Sequence, residues 1–171
     1  MSFVNFSPGK LKNSQESILN PESSGLRLIP YFSCMDPKKE STASKLLNKK
    51  WSKVLSEMKG WHASRNNFKL GQVQVTAVQS DVWIVHCLAA KESGEVDPSA
   101  AAACMQELQK IAKEERAGVH CLDSLFEECP TLEFTTKENS KATPQKSSST
   151  LEAHLKEQFP KLGISVYTYS R

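Results

Sequence analysis

A glycine followed by a lysine just after a short apolar stretch, as in FVNFSPGKLKNS (residues 3–14), has the composition of a phosphate-holding loop. A P-loop wraps several backbone N–H groups around the phosphates and needs G-x-x-x-x-G-K-[ST]. Gly9-Lys10 has no glycine five residues upstream, and Leu11 stands where Ser or Thr belongs, so the P-loop is excluded. Two stretches, IVHCL (84–88) and GVHCL (118–122), each carry His-Cys, and as neighbours they would bring His86, Cys87, His120 and Cys121 together. Adjacent strand residues point to opposite faces, so each strand offers one ligand per face, short of the four a structural zinc site takes. Satisfied core histidines and small apolar cysteines suit these positions better. A Cys-His nucleophile pair would need an activated thiol in an open cleft, and neither is visible. Asp81, Asp123 and Glu127-Glu128 read as solvated or capping carboxylates, and Trp51, Trp61 and Trp83 as core. Trp61-His62, just past an expected helix end among basic residues, is a candidate surface stacking pair. QKSSST (145–150) places Lys146, Ser147, Ser148, Ser149 and Thr150 at the opening of a helical pattern, with Ser149-x-x-Glu152 as a capping box. Free N–H groups and hydroxyls there make either a cap alone or an anion site.

At 171 residues and 39% hydrophobic content the chain suits one core-bearing domain. A mean hydropathy of −0.45 and no apolar run near the length of a spanning helix indicate a soluble protein. The five cysteines are odd in number and lack CxxC spacing, and the start lacks a signal-peptide pattern. Both point to reduced thiols and an intracellular location, nucleus or cytoplasm. Charge is uneven: residues 1–70 hold 12 Lys+Arg against 5 Asp+Glu, while residues 71–171 hold 10 against 14. The basic half reads either as a solvated lysine-rich helix face, with Lys45, Lys49, Lys50 and Lys53, or as a nucleic-acid surface whose affinity would fall steeply with salt.

The elements that must position these residues follow from periodicity. GLRLIPYFSC (25–34) predicts a strand, with Pro30 arguing against a central place because it cannot donate to a ladder. Leu46, Leu47, Trp51, Val54, Leu55 and Met58 predict one helix over 41–60, stopped by Gly60. GQVQVTAVQ (71–79) alternates, with a slip near Ala77, and DVWIVHCLAA (81–90) reads as a strand buried on both faces; a tight hairpin around Gln79-Ser80 joins them. Asp97 as N-cap, Pro98 at the first position and an alanine run predict a helix over 97–118 ending at Gly118. GVHCL (118–122) is a short strand, 123–149 a long, partly mobile loop, 149–163 a helix, and ISVYTYS (164–170) a closing strand. Helices alternating with buried strands predict an α/β sheet covered on both faces.

In this order and wording the chain resembles the macro domain family. The stretches that carry the likeness are LGQVQVTAVQSDVWIVHCLAA, KIAKEERAGVHCL and HLKEQFPKLGISVYTYS, with FVNFSPGKL and GLRLIPYFSCMDP as the opening strand, loop and second strand. The nearest likeness is to the macro-like domain at the C-terminal end of a chromatin remodeler amplified in liver cancer. The resemblance implies a single three-layer macro-like domain over 1–171, a mixed sheet with helices on both faces, and an ADP-ribose cleft above the strand ends. It implies a nuclear setting in chromatin and the DNA damage response. Macro domains bind the ligand through an acidic residue after a first-loop glycine and through two glycine-rich loops. Here Gly9-Lys10 replaces glycine-aspartate, and an ammonium has no acceptor for the adenine amino group, though it can attract phosphate. MDPKKESTAS, after the second strand, holds no glycine and lacks the asparagine of the family's hydrolases; the segment between Leu122 and Thr150 also holds no glycine. The expected protein is therefore a non-catalytic module recognising ADP-ribose, poly(ADP-ribose) or a related nucleotide through an altered pocket. Its expected contacts are Gly9, Lys10 and residues 146–150, and no cofactor or metal ion is expected. The alternative is a degenerate macro-like scaffold that has lost the nucleotide and works by protein contact.

Overall fold

The computed structural model describes residues 4–5, 18, 25–136 and 145–169. Gly9 and Lys10 lie outside the described residues. In chain order the elements are β1 (Val4–Asn5), β2 (Arg27–Cys34), α1 (Thr42–Lys50), α2 (Lys53–Ser64), β3 (Val73–Gln79), β4 (Val82–Ala90), α3 (Pro98–Glu115), β5 (Gly118–Leu122) and α4 (Ser124–Glu128). They continue with β6 (Thr131–Thr136), β7 (Gln145–Thr150), α5 (Leu151–Ala153), a π-helical turn (His154–Gln158), α6 (Phe159–Lys161) and β8 (Val166–Tyr169). Six strands form one mixed sheet in the order β1-β8-β5-β2-β4-β3, parallel except for β3, which runs antiparallel to β4.

Both faces of the sheet are covered, because successive strand residues face opposite ways and both sets are apolar. Leu28, Phe32, Val85, Cys87, Ala89, Val119, Cys121 and Val166 pack on one side against α3, through Ala101, Met105 and Leu108, and against Leu151, Leu155 and Phe159. Ile29, Tyr31, Ile84, Leu88 and Tyr169 pack on the other against Leu47, Trp51, Val54, Met58 and Trp61 of the α1–α2 layer. The helix over 98–115 forms as expected. Asp97 is its N-cap, its carboxylate accepting from Ala100 N–H at 3.0 Å, and Pro98 opens the first turn. The stop is Arg116 in the left-handed region (φ 53°) rather than Gly118, which already starts β5.

Several expectations are corrected. Pro30 sits in a central strand. The ladder to β4 runs the whole of β2, whereas pairing to β5 is confined to Arg27 and Leu28, so the missing donor falls where that second ladder has ended. The helix over 41–60 is two helices, broken at Trp51, whose extended backbone (φ −122°, ψ 97°) turns a buried indole inward. Asn48 bridges the break, its Oδ1 accepting from Leu55 N–H at 3.0 Å. Gly60 lies within α2, which continues through the buried Trp61 to a left-handed Arg65. The slip near Ala77 is a register shift between Ala77 and Gln79, and Gln79 pairs with Val82 around the hairpin.

The largest departure is the expected loop over 123–149. Its described residues form α4 and, with β7, a separate antiparallel hairpin of β6 and β7 that pairs Thr131 with Thr150 and Thr136 with Gln145. Ser149 is therefore in a strand opposite Leu132, and the N-cap of the next helix is Thr150, whose Oγ1 accepts from Ala153 N–H at 3.0 Å. The helix that follows widens into its π turn just before Pro160, which has no N–H to continue the regular ladder. Among the described residues, no helix is long and apolar enough to cross a membrane.

Candidate functional site

In open α/β sheets, ligands bind outside the carboxyl ends of the strands, where the strand order reverses. Here the chain moves from β2 outward to β4 and then returns through α3 to β5 on the far side of β2. The carboxyl ends of β2 and β4 therefore open a crevice, and it measures about 280 Å³. Its floor is Phe32, Cys34 and Ala90. Cys34 is buried, and its thiol donates to the Lys91 carbonyl at 3.0 Å.

Two loops and two helix starts form the walls. After β2, Asp36 accepts from Lys38 N–H at 3.1 Å through Oδ1, turning the chain so that Lys39, Glu40 and Ser41 line the crevice. Ser41 is the N-cap of α1, accepting from Ser44 N–H at 3.1 Å, and the Ser44 hydroxyl donates to Glu40 at 3.2 Å. After β4, the loop folds back through Gly94 N–H to the Lys91 carbonyl (2.7 Å) and Asp97 N–H to the Ala89 carbonyl (2.8 Å). Gly94 takes φ +97°, which favours glycine, and the Lys39 stem passes 4.0 Å from where its Cβ would stand. The Lys39 ammonium crosses the crevice to donate to the Glu92 carbonyl at 2.6 Å, tying one loop to the other.

Glu128, at the end of α4, closes the remaining side. Burial first, and the neighbouring Glu127 second, push its carboxyl up from its ordinary 4.5 to about 7. At neutral pH it is about half protonated, able to donate or accept a hydrogen bond. The crevice thus offers the amino end of α1, hydroxyls from Ser41 and Ser93, and one carboxyl poised between two states.

The residues singled out from the sequence are not brought together here. Lys146 to Thr150 form β7 instead of a helix opening, and Thr150 caps the helix that follows. The hairpin they belong to stands beside the start of α3, where the Ser99 hydroxyl donates to Glu133 at 3.5 Å. His86 and His120 are separated by β2 and never share a site. Each stands beside a tyrosine in the ladder. His86 bonds the Tyr31 hydroxyl (2.6 Å) and Thr76 Oγ1 (2.8 Å), and His120 bonds the Tyr169 hydroxyl (2.7 Å) and stacks on Tyr167. Burial lowers both, to about 4 and about 3, so both rings are neutral core groups. Among the described residues no cluster of three metal-ligating side chains exists.

Trp61-His62 is not a surface stacking pair past a helix end. Both residues lie inside α2, Trp61 is buried with its indole N–H donating to Asn66, and both rings meet Phe68 edge-on. Asp81 forms an ion pair with Arg27. Asp123 makes no capping bond to α4. The crevice residues were missed because their loops carry no recognisable motif; the signal that could have found them is their position directly after buried parallel strands.

No protein-family model and no curated protein matches the sequence. Solved structures do match. A macrodomain protein from Streptomyces coelicolor superposes with a TM-score of 0.68 at 18% identity, over 91% of this chain and 95% of that one. The fold is that of a macrodomain. The macrodomain of Mycobacterium tuberculosis DarG matches with a TM-score of 0.61 at 12% identity, covering 88% of this chain and 92% of its own. A Bacteroides thetaiotaomicron protein of unknown function matches at 0.70 and 18% identity, over 91% and 94%. The macrodomain fold therefore spans most of the chain.

Proposed function

We propose that this chain is a non-catalytic macro-like module that recognises ADP-ribose, its polymer or a related nucleotide in the crevice between β2 and β4. The observation that carries this reading is the crevice's place, outside the carboxyl ends of parallel strands and beside the amino end of α1. The macrodomain fold supports it, as does the resemblance to the macro-like domain of a chromatin remodeler, which favours an intracellular and nuclear setting. The pocket is altered, with a lysine-clamped loop and a half-neutral Glu128 where glycine-rich loops would stand. The non-catalytic part of the reading rests on the side chains present. The Cys34 thiol is spent on a backbone carbonyl, and no histidine reaches the crevice.

The test is an amide NMR titration with ADP-ribose, AMP and poly(ADP-ribose). Saturable shifts at residues 34–41, 90–96 and 128, lost in Ser93→Trp, support recognition. No shift at millimolar ligand refutes it.

One set of contacts favours the alternative, a scaffold acting through protein contact. The lining cation, Lys39, is already engaged by the Glu92 carbonyl, and Glu40 adds a carboxylate that disfavours a pyrophosphate. A scaffold of this kind would leave the crevice resonances unmoved by every nucleotide while a partner protein shifted the lysine-rich α1 or the β6–β7 hairpin.

A further inference from the structure

A larger cavity, about 420 Å³, opens at the opposite end of the strands. It lies under the amino ends of β5 and β8, beside the last turn of α3 and the loop that follows α6. Its volume is within the range of small-molecule sites and well above what a bare inorganic anion fills. Among the described lining residues the charged ones are Lys113 and Arg116, both exposed, and no carboxylate accompanies them. Tyr167 and Ser165 add a flat ring and a hydroxyl, with the buried His120 stacked behind Tyr167, and Leu26, Leu162 and Ile164 add apolar wall. Leu162 is a large apolar side chain left 40% exposed at this rim.

The geometry points to a second ligand site here, one that takes a small organic phosphomonoester independently of the nucleotide crevice. Two cations with no opposing carboxylate match a phosphate monoester, which carries close to two negative charges at neutral pH. Lysine and arginine in a helix's last turn also complement the helix dipole, but that role needs no cavity. Two of the last-turn carbonyls are occupied by backbone donors. Arg116 N–H donates to those of Ala112 and Lys113, and Ala117 N–H donates to Ala112 at 2.9 Å. His120 remains neutral under burial and the nearby Arg27, so it adds a polar ring and no charge. At Gly118 a Cβ would stand 3.4 Å from Tyr167 Cε1 and 3.7 Å from His120 Nε2. Its absence leaves bare backbone beside the half-buried Tyr167 ring, and the apolar wall receives the ester's organic part.

Amide NMR titration of the full chain with phenyl phosphate tests the site, with phenol and inorganic phosphate as the two half-ligands. The expected result is saturable shifts at residues 112–118 and 162–167, and binding of phenyl phosphate about tenfold tighter than either half. Arg116→Gly keeps the left-handed backbone that arginine adopts under strain (φ 53°) and removes the whole side chain, the guanidinium with its apolar stem. It should weaken phenyl phosphate about tenfold, as should Lys113→Gln to a lesser degree, while ADP-ribose shifts at 90–96 stay as in the wild type. No saturable shift at about 10 mM, equal binding of phenyl phosphate and phenol, or unchanged affinity in both variants overturns the proposal. Failure of ADP-ribose to bind leaves this result readable, because the two sites lie at opposite ends of the sheet.

Discussion

Nucleotide recognition in the crevice, as proposed, would depend on pH through Glu128 in a calculable way. Its carboxyl is raised to about 7 by burial and by Glu127, so it exchanges its proton within the neutral range. An anionic ligand in the crevice is admitted beside the neutral acid and opposed by the carboxylate. If only the neutral form binds, apparent affinity scales with the protonated fraction, about nine-tenths at pH 6 and about one-tenth at pH 8. ADP-ribose affinity should therefore fall about tenfold from pH 6 to pH 8, equivalent to about 1.4 kcal/mol. Calorimetric titration at several pH values reads this directly. Glu128→Gln should bind at the tight limit across the range, and Glu127→Gln should move the midpoint to lower pH, because the like charge that helps raise Glu128 is gone. Equal wild-type affinity at pH 6 and pH 8, or an undiminished slope in Glu128→Gln, would refute the placement of this carboxyl beside the ligand.

Other outcomes are expected. The same acid binds its proton more tightly folded than unfolded, so its contribution to stability is present below about pH 4.5 and is lost as pH rises toward 7; denaturant titrations of wild type and Glu128→Gln should diverge in that window. His86 acts in the opposite sense. Its folded value near 4 lies below the unfolded 6.5, so its contribution is full above 6.5 and lost as pH falls. Between pH 7 and pH 5, wild type should lose about 2 kcal/mol more stability than His86→Leu, by urea unfolding at both pH values. Thr150→Ala should cost about 1 kcal/mol as a lost N-cap, while Ser149→Ala costs distinctly less; the reverse order in thermal unfolding would restore the capping box at Ser149. Lys39→Met should raise amide exchange at residues 91–95, since it removes the hydrogen bond that carries the Lys39 ammonium across the crevice to the Glu92 carbonyl.

How much was legible in the residues depended on the range of the physics involved. Asp97-Pro98 with its alanine run specified α3 locally, since a cap and a fixed φ act within one turn. The continuous apolar run over 82–90 specified a strand covered on both sides, and the alternation over 73–79 its partner, down to the slip at Ala77. QKSSST misled because serines next to a helix look like caps at every register; the partner strand over 131–136, absent from any local pattern, decided that they extend instead. The break at Trp51 came from burial of one indole, which a periodic reading carries straight through.

The sequence alone determined an α/β fold with two apolar faces, because periodicity and capping are encoded by neighbours. Only the tertiary structure decided where the chemistry gathers. Cys34, Lys39, Glu40, Gly94 and Glu128 span ninety-five positions and share no motif, yet parallel strands deliver their following loops to one edge. Glu128 titrates near neutrality through burial by distant segments, and Lys113, Arg116 and His120 line a cavity because β8 returns beside β5. Solvation and proximity belong to the packed chain, and local sequence carries neither.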